Sequence, residues 1–273
     1  MKKHIAIILS LIMASHLSVS AQKAHKTPVK TAHYAHAKSS KKRKVHKVID
    51  DRPEMTINDV KDMPNAWGID VSHHQAEINW LTMVNEKPHF MFIKASEGMT
   101  ILDEKYNSYY TEAKKMGIPV GSYHFFSFKS TGKEQANNFM SALQLQEGDL
   151  LPVLDAEYTR SMPKNKQKIT IEITDFVNAV YEKLGLYPII YCNYNFFLNY
   201  LDQDIQKKCK LWIANYKCKP ECEWTLWQTT NKFKLNSIKG HVDLNIFYGN
   251  VESLKELFYQ CKVEQAPLLD ASL

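Results

Sequence analysis

The chain has 273 residues, 44% of them hydrophobic and 23% charged, a balanced composition that suits one folded domain of roughly 200 residues once its N-terminal segments are set aside. The formal net charge of +6 is concentrated at one end, which excludes a uniformly basic folded surface.

Residues 1–21, MKKHIAIILSLIMASHLSVSA, carry two lysines, an apolar run from Ile5 to Met13, and Val19 and Ala21 at the spacing a signal peptidase reads. The run is shorter than the ~20 residues a spanning helix needs. A signal peptide and an exported protein, periplasmic or extracellular, are therefore expected. Residues 22–64 read as a basic disordered linker. Its stretch 22–50 has eight lysines, one arginine and four histidines against a single acid, Asp50, a charge of about +8 that leaves residues 51–273 near −4. Such a tail is a solvated spacer, or a contact for an anionic cell-wall or surface polymer. The histidines are irregularly spaced and fix no metal geometry.

From Trp67 onward, short apolar runs alternate with amphipathic segments. Strands are expected at 67–72, 89–96, 118–126, 150–157 and 187–193. Helical stripes lie between them, such as Tyr106, Tyr110, Ala113 and Met116 before Gly117, or Phe176, Val177, Val180, Tyr181 and Leu184 before Gly185. Three further strands, at 210–216, 223–230 and 240–247, follow through shorter connections. Runs apolar on both faces, joined by helical crossovers, indicate an α/β fold with a parallel sheet, and eight of them a closed barrel. An open nucleotide-binding sheet is excluded by the lack of a glycine-rich turn after any strand. The barrel is assigned to residues 65–262, with a C-terminal tail at 263–273.

Five cysteines, Cys192, Cys209, Cys218, Cys222 and Cys261, in an exported chain point to disulfides. Cys192, inside "YPIIYCN", is expected to be the free buried thiol, and the other four permit three pairings.

Acids collect where these strands end: Asp70 in "GIDVS", Glu97 after "FIKAS", Asp155 and Glu157 in "VLDAE", Asp243 in "HVDLN". In a barrel such ends converge on one rim. Asp155 and Glu157 are two residues apart and so face the same side of a strand. Packing them together raises the pKa of one, which keeps a carboxylic acid protonated near neutral pH. Singly, each acid reads as a strand-end turn or a salt bridge. Together with Tyr123, His124, Phe125, Tyr191, Asn193, Asn215, Tyr216, Trp227 and Gln228 at neighbouring strand ends, they describe a sugar-binding groove.

The segments "WGIDVSHHQAEINW", "FMFIKASEGMTILDEKY", "GIPVGSYHFF", "LPVLDAEY", "PIIYCN", "LWIANY", "WTLWQTT" and "HVDLNIF" resemble, in order, the motifs of the family 25 glycoside hydrolases, the Chalaropsis-type lysozymes. The resemblance implies an irregular barrel of five βα units and three further strands. It also implies cleavage of the β-1,4 bond between N-acetylmuramic acid and N-acetylglucosamine in peptidoglycan, with retention expected. Glu157 is then the general acid. Asp155 either orients the substrate's acetamido group or stabilises charge, and Asp70 and Asp243 are two further catalytic rim acids. Substrate binding is assigned to Glu97, Tyr123, Tyr191, Asn193, Tyr216, Trp227 and Gln228. No cofactor, metal or nucleic-acid partner is expected, and the chain is expected to be a monomer that acts on peptidoglycan. A protein that keeps the groove but only binds walls is the alternative. A chitinase-like reading is weaker, because that pattern places two more acids where this chain has Leu151 and Val153.

Overall fold

The computed structural model describes residues 50–75 and 77–260. Its strands are β1 (Met55–Thr56), β2 (Trp67–Val71), β3 (Phe90–Glu97), β4 (Ile101–Leu102), β5 (Val120–Phe125), β6 (Val153–Asp155), β7 (Ile189–Asn193), β8 (Leu211–Ala214), β9 (Leu226–Lys234) and β10 (Val242–Phe247). The α-helices are α1 (Trp80–Met83), α2 (Tyr106–Lys115), α3 (Gly132–Ala142), α4 (Lys166–Leu184), α5 (Tyr194–Tyr200) and α6 (Gln203–Lys208). All eight expected strands are present, and α5 and α6 are the short pieces that replace a full helix between β7 and β8.

Strands β2, β3, β5, β6, β7, β8 and β9 pair in that order, all parallel. β10 closes the ring between β9 and β2, antiparallel to both. The fold is thus an α/β barrel of eight strands whose last strand is reversed. This reversal corrects one expectation. Asp243 reaches the rim not at the C-terminal end of a parallel strand but at the beginning of an antiparallel one, paired directly with Asp70.

Two apolar layers hold the barrel. Inside it, Phe90, Phe92, Val153, Ile189, Trp212 and Leu226 are buried together, with the Phe92 and Trp212 rings 4.6 Å apart. Room for these rings comes from glycine: a Cβ on Gly121 would lie 2.2 Å from the Phe92 ring and one on Gly68 2.4 Å from that of Phe90. Outside it, the helices lay their apolar stripes on the strands. α4 buries Ile169, Ile173, Phe176, Val177 and Val180, at the three- and four-residue spacing of one helix face, and ends at Gly185 in the left-handed conformation (φ 67°). Tyr181, expected on that stripe, is 44% exposed and stacks on Tyr187 instead. α3 opens with a capping box in which Thr131 and Glu134 satisfy each other's backbone N–H.

The linker assignment for 22–64 is corrected at its end. Residues 50–64 are built onto the barrel: β1 adds in parallel to β9 through Met55↔Phe233, and the buried Asp50 accepts hydrogen bonds from Arg52 (3.0 Å) and from Thr230. The apolar Met55, Ile57 and Val60, which pack on the core, carry the signal that charge counting hid. Residues 1–49 and 261–273, with the signal peptide, the basic tail and Cys261, lie outside the described residues.

The four described cysteines are free thiols, so no disulfide joins Cys209, Cys218 and Cys222 to one another. Cys192 is buried, as expected, and burial pushes the Cys209 thiol up to about 12.

Candidate active site

At the end of the barrel where the parallel strands finish, a cleft of about 620 Å³ opens, within the usual range of about 300–1,000 Å³ for small-molecule sites. Asp70, Glu97, Asp155, Glu157 and Asp243 all line it, with Tyr123, Tyr191, Asn193, Tyr216 and Gln228. The chain's most distant strands thus deliver five acids to one place.

Trp227 is the exception. On β9 successive side chains face opposite sides. Gln228 points into the cleft, while Trp227 lies outside the barrel, its Nε1 donating to the Asn215 carbonyl at 2.9 Å. The same alternation removes His124 from the groove. It is fully buried behind β5 between Ser96 Oγ (2.8 Å) and Gln135 Oε1 (3.2 Å), and burial pushes its pKa down to about 4.

Asp70 sits at the centre of an ordered polar network. Its Oδ2 accepts from Asn245 Nδ2 (2.7 Å) and from Gln228 Nε2 (3.0 Å). Asn245 Oδ1 accepts from Trp212 Nε1 (2.8 Å), and Gln228 Oε1 accepts from the hydroxyls of Tyr191 (2.8 Å) and Tyr216 (2.7 Å). The Trp212 indole and both tyrosine hydroxyls are thereby spent and the network converges on one carboxylate. Burial nevertheless raises the Asp70 pKa, outweighing the amides and a hydrogen bond with Asp243 that lower it.

The D-x-E pair behaves as two same-side acids. Asp155 ends β6, is 8% exposed, and has its Oδ1 buried without a hydrogen-bond partner. Glu157 lies just beyond the strand and is half-exposed. Burial first, then the neighbouring Glu157 charge, push the Asp155 carboxyl well above its ordinary range, against the pull of Lys94. Asp155 is the deeper member of the pair.

Several lining residues escaped the sequence reading. Lys94 is buried to 6% exposure within β3, pairs with Glu97 at 2.7 Å and lies 5.0 Å over the Phe125 ring. A lysine inside an otherwise apolar strand was its available signal. His74 and Gln75 enter from the turn after β2, which His73 ties to Asp103 (2.6 Å). Trp212 and Asn231 also line the cleft, and their patterns do not differ from those of core or turn residues. The burial of Tyr123, Tyr191 and Tyr216 beside these acids raises their phenol pKa values, so each remains an O–H donor.

A closed α/β barrel that gathers carboxyl groups, phenols and amides in one cleft at its strand ends has the architecture of a glycoside hydrolase. The chain belongs to glycosyl hydrolases family 25, whose model matches residues 69–238. It is similar to a family 25 glycosyl hydrolase from Bacillus anthracis, at 31% identity and a TM-score of 0.66 over 72% of this chain and 95% of that one. It is also similar to a bacterial lysozyme from Streptomyces coelicolor (28% identity, TM-score 0.67, 72% and 98% of the two chains). Among sequence relatives, Lysozyme M1 of Streptomyces globisporus is 28% identical over 212 residues, 72% of each chain.

Proposed function

We propose that this glycoside hydrolase is an exported muramidase that cuts the β-1,4 bond between N-acetylmuramic acid and N-acetylglucosamine in peptidoglycan, with retention of configuration. The observation that carries the reading is the pairing of a buried acid bearing an unpartnered oxygen, Asp155, with a more exposed acid on the same side, Glu157, in one cleft with Asp70 and Asp243. The lysozyme names of the relatives support the substrate, and the leader at 1–21 supports export.

The proposed mechanism follows from the geometry. Interacting acids titrate as a group. In the free enzyme burial draws a proton toward Asp155. The N–H of the substrate's acetamido group donates to Asp155 Oδ1, satisfies the orphaned oxygen and stabilises the carboxylate, so the proton passes to Glu157. The acetamido oxygen then attacks the anomeric carbon as the glycosidic C–O bond breaks, and Glu157 gives its proton to the leaving oxygen. Water opens the cyclic intermediate from the face that the leaving group vacated and returns a proton to Glu157. The nucleophile belongs to the sugar, so no enzyme carboxylate forms a covalent bond. The Asp70 and Asp243 pair lies at the same cleft and steadies the oxocarbenium-like transition state, and Tyr123, Tyr191, Tyr216, Asn193, Gln228 and Glu97 position the sugar.

The basic tail at 22–50 supplies attraction to anionic wall polymer, and the enzyme works as a monomer. Release of reducing ends and clearing of a peptidoglycan suspension by the purified chain test the reading. Binding to walls with no release at any pH would identify a wall-binding protein instead.

A further inference from the structure

The strand that lines the catalytic cleft with Gln228 carries a second concavity on its opposite face. After β8 the chain turns down the outside of the barrel through residues 215–225 before re-entering as β9, parallel to β8. Between this connection and the outer faces of β9 and β10 lies a cavity of about 270 Å³. Three aromatic side chains converge there. The Trp224 ring is 5.3 Å from that of Tyr248 and 6.0 Å from that of Trp227, meeting them at 78° and 60°. The Tyr248 side is open, at 66% exposure.

Two polar features separate this cavity from an ordinary apolar seam. Thr229, also lining it, is 5% exposed and its Oγ1 has no hydrogen-bond partner. A buried hydroxyl without a partner costs stability unless a ligand supplies one. The second feature is Lys219, on the descending connection, whose Nζ stands 5.2 Å over the Trp224 ring and 6.0 Å over that of Tyr248. Arg52, the other cation at the cavity, is engaged by Asp50 at 3.0 Å, whereas Lys219 has no ion pair among the described residues.

We infer that this outer cavity is a second carbohydrate site, which holds one pyranose ring bearing a carboxylate. Aromatic faces set at angles to one another receive the apolar face of a ring, the Thr229 hydroxyl pairs with a ring substituent, and Lys219 moves from the aromatic faces to the carboxylate. The volume suits one ring rather than a chain, being just below the range of extended ligand sites. Charge selects among occupants: Lys219 is the cation left without an ion pair among the described residues and no acid lines the cavity, which disfavours the chain's own basic tail and favours an acidic sugar. On the muramidase reading, on which this identification rests, that sugar is an N-acetylmuramic acid unit of a glycan strand other than the one being cut. The site holds the enzyme on its insoluble substrate.

The test uses the full chain carrying Glu157→Gln, titrated with the N-acetylglucosaminyl-N-acetylmuramic acid tetrasaccharide and with the neutral N-acetylglucosamine tetramer. Two classes of site are expected for the acidic sugar. Tyr248→Ala with Lys219→Ala, both at exposed positions, should weaken one class by roughly tenfold or more. In an otherwise wild-type chain the same pair of substitutions should leave kcat/KM on soluble glycan strands within about twofold and lower retention on sacculi. A single class, a second class indifferent to the substitutions, or equal binding of the neutral tetramer at the outer site overturns the proposal, as does dimerisation that the substitutions abolish. Turnover by the wild type with only one binding class removes this proposal alone. Binding at the outer site without turnover removes the muramidase reading alone.

Discussion

Asp243 stands directly opposite Asp70 across the antiparallel pair that closes the barrel, and their two carboxyl groups share a hydrogen bond. The amides of Asn245 and Gln228 also point at Asp70, so Asp243 is a third polar partner of that carboxyl. Asp243→Asn keeps an N–H at that position, whereas Asp243→Leu removes it. The Leu variant should lose at least about tenfold more kcat/KM than the Asn variant. Equal losses would mean that the charge of Asp243, not its hydrogen bond, matters.

Glu157→Gln preserves size and hydrogen-bonding shape but cannot deliver a proton to a leaving oxygen. Turnover should fall by about 10²–10⁴ while the affinity for soluble glycan stays near that of the wild type. Single-turnover rates and equilibrium binding on the same preparation measure both. Retained wild-type rates would move the acid to another residue of the cleft.

Gln228→Leu withdraws one of the two amide donations that hold the Asp70 carboxyl down against burial. With that opposition gone, the Asp70 pKa rises further, and the acidic limb of the kcat/KM profile should move to higher pH. Tyr216→Phe leaves Tyr191 on Gln228 and should move the limb less. An unmoved limb in both variants would detach Asp70 from the rate-limiting ionisation.

His124 gives the fold an acid sensitivity of its own. Its pKa is lowered from 6.5 to about 4 by burial, so between these values the unfolded chain binds a proton that the folded one does not. Stability from this group is complete above about pH 6.5 and is lost as pH falls toward 4, to a total of about 3 kcal/mol. Denaturant titrations at several pH values should show that slope in the wild type and a shallower one in His124→Gln. Asp70 and Asp155 act in the opposite sense. Their raised pKa values make the folded state bind protons in excess above the ordinary carboxylate range, so they withdraw stability as pH rises.

The eight strands and their convergence were legible because apolar runs such as "FMFIKAS" and "LPVLDAE" are bounded by helical stripes and turn residues. The acid set was legible because carboxylates ending apolar strands are costly unless used. The reversal of β10 was not, since a short strand reads the same in either direction, and pairing Asp243 with Asp70 required the closed ring. Trp227 is hard to place for a related reason. Alternation states that Trp227 and Gln228 face opposite sides but not which one faces the sugar, and an aromatic residue beside an amide drew both into the groove. Lys94 is inconspicuous because it interrupts a strand by a single residue, and the acid it pairs with lies three positions away on the same strand.

The central claim, that the cleft cuts glycan strands at N-acetylmuramic acid with Glu157 as the proton donor, is tested most directly by mass spectrometry of the fragments released from purified peptidoglycan by the wild-type chain. Fragments with N-acetylmuramic acid at the reducing end, absent from a Glu157→Gln digest, are the expected result. Fragments ending in N-acetylglucosamine, or the same fragments from Glu157→Gln, would contradict it.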